Sequence, residues 1–283
     1  MPRSNWSRRL MSFLTVYPPV VIVLFLMLFP FYWMLTASLK PYPELFNVKV
    51  APLWVASPTL EHYKKLFFDT FYARWFFNSF TVALASTAIS LAIGTLAGYA
   101  AARLRFRGVK LITTLILVSY LVPRTLLFIP MSQIVYNLGL TNSLWSMILT
   151  YPTFLVPFQT WLMAGYFRTI PSEIEDCARI DGCHRMQALW HVVLPLARPG
   201  IVSAAIFGFT LSWAEFLYGS SFVSLDKLKT LPAGVVTSLI RADAFFWGPL
   251  MAAALLGSVP VALIYMFFVE QYVAGLTAGA VKG

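Results

Sequence analysis

The chain has 283 residues, of which 59% are hydrophobic and only 11% charged, with a mean hydropathy of +0.74. A water-soluble domain carries about a quarter charged residues, so this composition excludes one and points to a bilayer as the solvent. The net charge of +10 does not indicate nucleic-acid binding, because its Lys and Arg are scattered between apolar runs rather than gathered on one face.

Residues 1–14, with Arg3, Arg8 and Arg9, lead into a first apolar run at about 15–39. That run exceeds the roughly 7–15 apolar residues of a signal peptide and lacks a small-residue cleavage site, so it reads as an uncleaved helix with a kink point at Pro30. A mixed polar and aromatic segment follows at 40–74. Further apolar runs cover about 76–100, 111–131, 144–166, 199–220 and 248–270. Each is near the ~20 residues a crossing needs, giving an all-α polytopic protein of six transmembrane helices with both termini on one side. Within the second run, Gly94-x-x-x-Gly98 is a small-residue face suited to close helix packing.

Charge sets the orientation. With the N-terminus inside, the inner segments hold 12 Lys and Arg against 8 outside, and the tight Arg103–Lys110 turn is the clearest positive-inside signal. Both termini are then cytoplasmic, and so is the polar stretch 168–199 that divides the fourth and fifth runs. In that stretch Ser172-x-x-Glu175 has the pattern of a capping box, and Gly182 suits a left-handed helix stop. Met186, Leu189, Trp190 and Val193 then recur at i, i+3, i+4 and i+7, as on one helix face. Two short amphipathic helices meeting at a glycine make a knob for a partner's groove. Both cysteines, Cys177 and Cys183, fall here and are expected as free cytoplasmic thiols.

Two ionisable residues fall inside crossings, which makes each a functional candidate. On straight helices, Arg124 and Glu215 rise about 21 and 24 Å from the inner side and reach similar depth. They either meet in one polar cavity, as an ion pair or as substrate contacts, or Arg124 snorkels to the outer headgroups. Trp213 and Tyr218 beside Glu215 offer ring faces to a sugar, or else serve as packing and interfacial aromatics.

Glu175-Asp176-Cys177-Ala178-x-x-Asp181-Gly182, with Leu194-Pro195 twelve residues after Gly182, resembles the coupling ("EAA") loop of permease subunits in ATP-binding-cassette (ABC) importers of the maltose type. Asp176 stands where that family usually has Glu, and Cys177 and Cys183 where it has Ala. The resemblance extends along the chain. It takes in Asn78-Ser79, Gly98 to Gly108, Pro123, Ile129-Pro130, Leu138-Gly139-Leu140-x-Asn142, a Trp213-Ala214-Glu215-Phe216 variant of a Trp-Asn-acid-Phe pattern, and the ending Gly275 to Gly283.

The resemblance implies a type I importer permease fold, with a transmembrane domain over 15–274 and a cytoplasmic tail over 275–283. It implies ATPase coupling through Glu175, Asp176, Cys177, Ala178, Asp181, Gly182, Met186 and Leu189. Asn78, Arg124, Trp213, Glu215 and Tyr218 are the candidates for the substrate path. The implied partners are a second permease, two ATPase subunits that bind ATP and Mg, and an extracytoplasmic binding protein. The implied cargo is a sugar, oligosaccharide or polyol. A non-sugar solute, or an ion-coupled carrier, is the alternative. The chain itself carries no G-x-x-x-x-G-K-[S/T] phosphate loop, no H-E-x-x-H and no other metal-ligand spacing, so no cofactor, metal or catalytic residue is expected in it.

Overall fold

A computed structural model of the chain describes residues 5–47, 53–241 and 244–277. Expectations for the last six residues, and for Arg3, lie outside them. Apart from a two-residue hairpin, Ile240–Arg241 (β1) with Ala244–Phe245 (β2), the described regular structure is helical. The chain divides into two compact units, one of residues 1–70 with 238–258, the other of 71–237 with 259–283.

The first unit begins with α1 (Asn5–Leu39), one helix through Pro18, Pro19 and Pro30. Short helices α2 (Tyr42–Leu45) and α3 (Glu61–Phe68) follow. His62, wholly buried, holds this corner by a 2.7 Å hydrogen bond to the Lys40 carbonyl and an edge-on contact with Tyr42.

The second unit is built on α4 (Tyr72–Arg103), which lies along α8 (Pro152–Thr169) and α12 (Arg198–Trp213). Gly94 and Gly98 permit that approach: a Cβ on either would stand 2.8 Å from the Cβ of Gln159 or Met163. The small-residue face therefore packs a helix, as its spacing suggests. Between these elements come α5 (Val109–Tyr120), α6 (Arg124–Asn137) and α7 (Leu144–Thr150).

Among the described residues three helices are long and apolar enough to cross a membrane: Thr15–Leu39, Tyr72–Arg103 and Trp247–Gln271, the last within α15 (Trp247–Thr277). Two bent pairs raise the number to five, α5 with α6 at 95° and Arg185–Leu196 with α12 at 78°. The six straight spans of the sequence reading are thus partly broken. At Leu121–Pro123 the cause is Pro123, which lacks an amide hydrogen and drives the residue before it out of helical geometry. The fourth expected span is split at Tyr151 into α7 and α8, and α8 carries buried Gln159 and Thr160 with Arg168 near its end.

Candidate functional site

The polar stretch forms a knob beside the end of α4. Its first helix, α9 (Ser172–Ile180), ends in a left-handed Gly182 (φ 93°), with Cys183 N–H returning to the Ala178 carbonyl at 3.0 Å. That is the stop the glycine suggested. The capping box is elsewhere. Pro171 precedes α9 without a side-chain cap, whereas His184 and Gln187 cap each other's backbone at the start of α10 (Arg185–Ala188).

Glu175 is not free to cap because it turns inward. It is 7% exposed; the Tyr99 hydroxyl donates to its Oε1, and Arg103 Nε stands 3.4 Å from its Oε2. The latter is an ion pair without hydrogen-bond alignment. Arg103 Nη2 meanwhile donates to the Ile170 carbonyl at 2.6 Å. Two charges so placed need one another, since the alternative is an unpaired ion away from water. The knob is thereby fastened to the last turn of α4.

The second helix departs from the expected face. After α10 the chain widens into a π turn over Leu189–Val193, then α11 (Leu194–Leu196). Pro195 has no amide to give the His191 carbonyl, so the ordinary i to i−4 ladder cannot continue through it. The wide turn splits the predicted stripe. Leu189 and Val193 are buried against Tyr99, Met163, Phe167 and Ala204, while Met186 and Trp190 are 49% and 60% exposed.

Of the eight coupling residues expected, Glu175, Ala178 and Leu189 are therefore internal. Asp176, Cys177, Asp181, Gly182 and Met186 face outward. Asp176 makes only a 3.5 Å surface pair with Arg179. Both cysteines are free thiols. Ile180, 85% exposed, is a surface apolar group that the sequence pattern does not single out, and Trp190, expected on one face with Leu189, is on the surface instead.

The substrate-path candidates are engaged within the chain, and Trp213 and Tyr218 take the packing alternative. Asn78 gives its amide hydrogens to the carbonyls of Lys227 (3.1 Å) and Lys229 (2.9 Å). Trp213 is buried, stacked on Phe209 and edge-on to Phe76. Glu215 sits where α12 has ended and α13 (Leu217–Phe222) begins. Its carboxylate accepts from the amides of Tyr218 (3.0 Å) and Gly219 (3.2 Å) and from the Tyr151 hydroxyl (2.9 Å).

Arg124, at the start of α6 and not partway up a straight helix, lays its guanidinium 4.4 Å over the Phe154 ring. Among the described residues it forms no ion pair with Glu215. The two do border one aromatic cluster, since Tyr218 packs on Tyr151 and Phe154 and its hydroxyl donates to the Arg124 carbonyl at 3.3 Å. Buried ring contacts and backbone capping occupy the groups that the sequence offered to a solute.

The turn at Leu138–Asn142 is held by bonds within the chain. Gly139 and Asn142 are left-handed (φ 67° and 59°), and Asn142 Oδ1 accepts from Ser224 N–H at 2.7 Å and Leu225 N–H at 3.1 Å. Among the described residues no group of His, Cys, Asp and Glu is disposed to hold a metal.

Long apolar helices, sharply bent helix pairs and an exposed polar knob between them define a polytopic membrane protein. Residues 90–277 match the family described as "Binding-protein-dependent transport system inner membrane component". The sulfoquinovosyl glycerol transport system permease SmoH of Agrobacterium fabrum is 42% identical over 90% of this chain and 89% of its own length. The galactooligosaccharides transport system permease GanQ of Bacillus subtilis is 33% identical over 98% of each. In fold, a chain of a bacterial ABC transporter that imports alginate superposes with a TM-score of 0.79 at 18% identity, covering 96% of this chain and 99% of that one.

The chain belongs to that family: it is the multi-pass inner-membrane permease component of an ABC importer, and ATP hydrolysis belongs to a separate subunit.

Proposed function

We propose that the chain is one of two permeases in an importer for a carbohydrate or polyol, assembled with two ATPase subunits and an extracytoplasmic binding protein. The observation that carries the cargo class is the 42% identity over 90% of the chain to a permease named for a glycosyl glycerol, with another relative named for galactooligosaccharides. ATP and Mg reside on the ATPases. Both chain termini and the knob lie in the cytoplasm, on the side marked by Arg103, Arg105, Arg107 and Lys110.

On the knob, Asp176 and Asp181 meet basic groups of the ATPase, while Ile180 and Met186 supply apolar contact. Glu175 does not touch the ATPase; it relays. Because its carboxylate is held by Tyr99 and Arg103, displacement of α9 is passed to α4 and, through the glycine contacts, to α8. Coupling requires that the ATPase grip the knob differently in its two states, since equal binding to both shifts nothing. An ion-coupled carrier would need a titrating acid of its own in the membrane, and Glu215 is occupied in capping α13.

The assembled transporter, with its binding protein in lipid vesicles, tests the reading. Sugars or polyols should raise its ATPase rate and amino acids or short peptides should not. Stimulation by the latter alone would overturn the cargo class, and uptake without the ATPase subunits would overturn the importer.

A further inference from the structure

A cleft of about 360 Å³ opens between α5 and α8, with Ala101 of α4 at its side. Its floor carries two cations, Lys110 and Arg168, both exposed, and no acid lines it. The hydroxyl-bearing Thr113 and Thr114 stand beside them, and Leu117 and Trp161 form its apolar part.

The order of these groups along the helices follows the layers of a bilayer leaflet. Lys110 is in the first turn of α5 and Arg168 in the last turn of α8, so both lie at one helix boundary. The Arg103 to Ile170 hydrogen bond ties the ends of α4 and α8 there, and the same turn holds the chain's densest run of cations. Trp161 stands seven residues before Arg168, about 10 Å deeper. It is 52% exposed, with its ring against Phe158, and Leu117 is 38% exposed, so the cleft has partly open apolar walls within reach of hydrocarbon.

Cations at the boundary, hydroxyls next and apolar walls beyond match, in that sequence, a phosphodiester, a glycerol backbone and an acyl chain. A zwitterionic headgroup would bring its own cation against Lys110 and Arg168, whereas an anionic one meets only complementary charge. We infer that this cleft seats an anionic phospholipid of the inner leaflet, with its phosphate between Lys110 and Arg168 and one chain along Leu117 and Trp161. The inference rests on the sidedness proposed above, which puts the Arg103–Lys110 turn at the cytoplasmic face, and does not depend on which solute the chain carries.

Native mass spectrometry of the assembled transporter, taken from bilayers of equal parts phosphatidylglycerol and phosphatidylcholine, reads the site directly. The wild-type complex should leave with phosphatidylglycerol retained in preference. Lys110→Gln with Arg168→Gln should lower the retained ratio about tenfold, and Arg105→Gln with Arg107→Gln, an equal charge loss outside the cleft, should leave it within about twofold.

Equal losses in both double variants would show diffuse surface attraction and overturn the site, as would an unchanged ratio in the first. Displacement of the lipid by millimolar inorganic phosphate would assign the cleft to a free anion instead. Cross-linking of Thr114→Cys to the second permease would assign it to a protein interface. Should the first double variant fail to assemble, Arg168→Gln alone carries the same reading at about threefold.

Discussion

Two glutamates near opposite ends of α4 are both buried, and both receive a tyrosine hydroxyl, yet they do different work. Glu175 completes its coordination with a side chain far away in sequence, Arg103, and so joins two elements that would otherwise move apart. Glu215 completes its own with the backbone amides three and four residues ahead, and so shapes one short stretch of chain. An acid in a membrane protein is a functional candidate by default. The second glutamate shows a common competitor to that default. Where a helix breaks inside the bilayer its freed amides must be satisfied, and a carboxylate is a strong acceptor for them. A buried acid is thus assigned by what completes its shell: a remote cation marks a joint, local amides mark a cap.

The joint should be the more costly to break. Glu175→Ala removes the partner of Arg103, whose side chain is only 13% exposed, and strands the Tyr99 hydroxyl as well. Removing one member of a buried pair costs about 3–5 kcal/mol, so the assembled transporter should unfold at a markedly lower temperature and lose ATP-driven uptake. Glu175→Gln keeps an acceptor for Tyr99 and sharpens the point. It should assemble but couple poorly. If Glu175→Ala left both melting and uptake unchanged, the relay from α9 to α4 would have no support.

Little of this sidedness was legible beforehand, while the location of the knob was. Proline, glycine and clustered charge mark where a membrane chain leaves its spans, and these signals are local, so 168–199 stood out. Which way Glu175 points depends on Tyr99 and Arg103, more than 70 residues earlier, and no local pattern carries that. The face of the second helix was misjudged for a different reason. Period 3.6 does not hold across Leu189–Val193, and Pro195, four residues after His191, is the sign in the sequence that the ladder changes there.

The depth of Arg124 failed similarly. Counting 1.5 Å per residue from Lys110 presumes one straight helix, and Pro123 sits immediately before the residue being placed. Gly94 and Gly98, by contrast, were readable because close packing depends on the absence of side chains, which a sequence states outright.

The cap should be cheaper to disturb and should be independent of its cationic neighbour. In Glu215→Gln the amide oxygen still accepts from Tyr218 and Gly219, so only the charge-assisted part is lost, about 1–2 kcal/mol. Arg124→Gln leaves the carbonyl that receives the Tyr218 hydroxyl in place. The two substitutions together should therefore lower thermal stability by the sum of their separate effects to within about 0.5 kcal/mol. A coupling much larger than that would mean that the two charges sense each other through the shared aromatic cluster, and the distinction between joint and cap would blur at this end.

The smallest effect on stability, and the clearest separation of folding from function, belongs to the outward face of the knob. Among the described residues Asp176 has only a loose surface pair with Arg179, Ile180 is exposed and Met186 is half-exposed. Asp176→Arg combined with Met186→Ala should accordingly shift the melting of the isolated chain by no more than about 0.5 kcal/mol per site. Yet it reverses a charge and removes an apolar contact where the ATPase is expected to grip. Nucleotide-driven uptake should fall by an order of magnitude or more, and the ATPase should co-purify less. The pairing with Glu175 gives this test its force. Both variants should impair transport, the inner one by loosening the chain and the outer one while leaving its fold intact. Uptake that survives the outer variant would move the grip elsewhere on the knob, to Asp181 or Trp190, because Glu175, Ala178 and Leu189 are already enclosed by the chain itself.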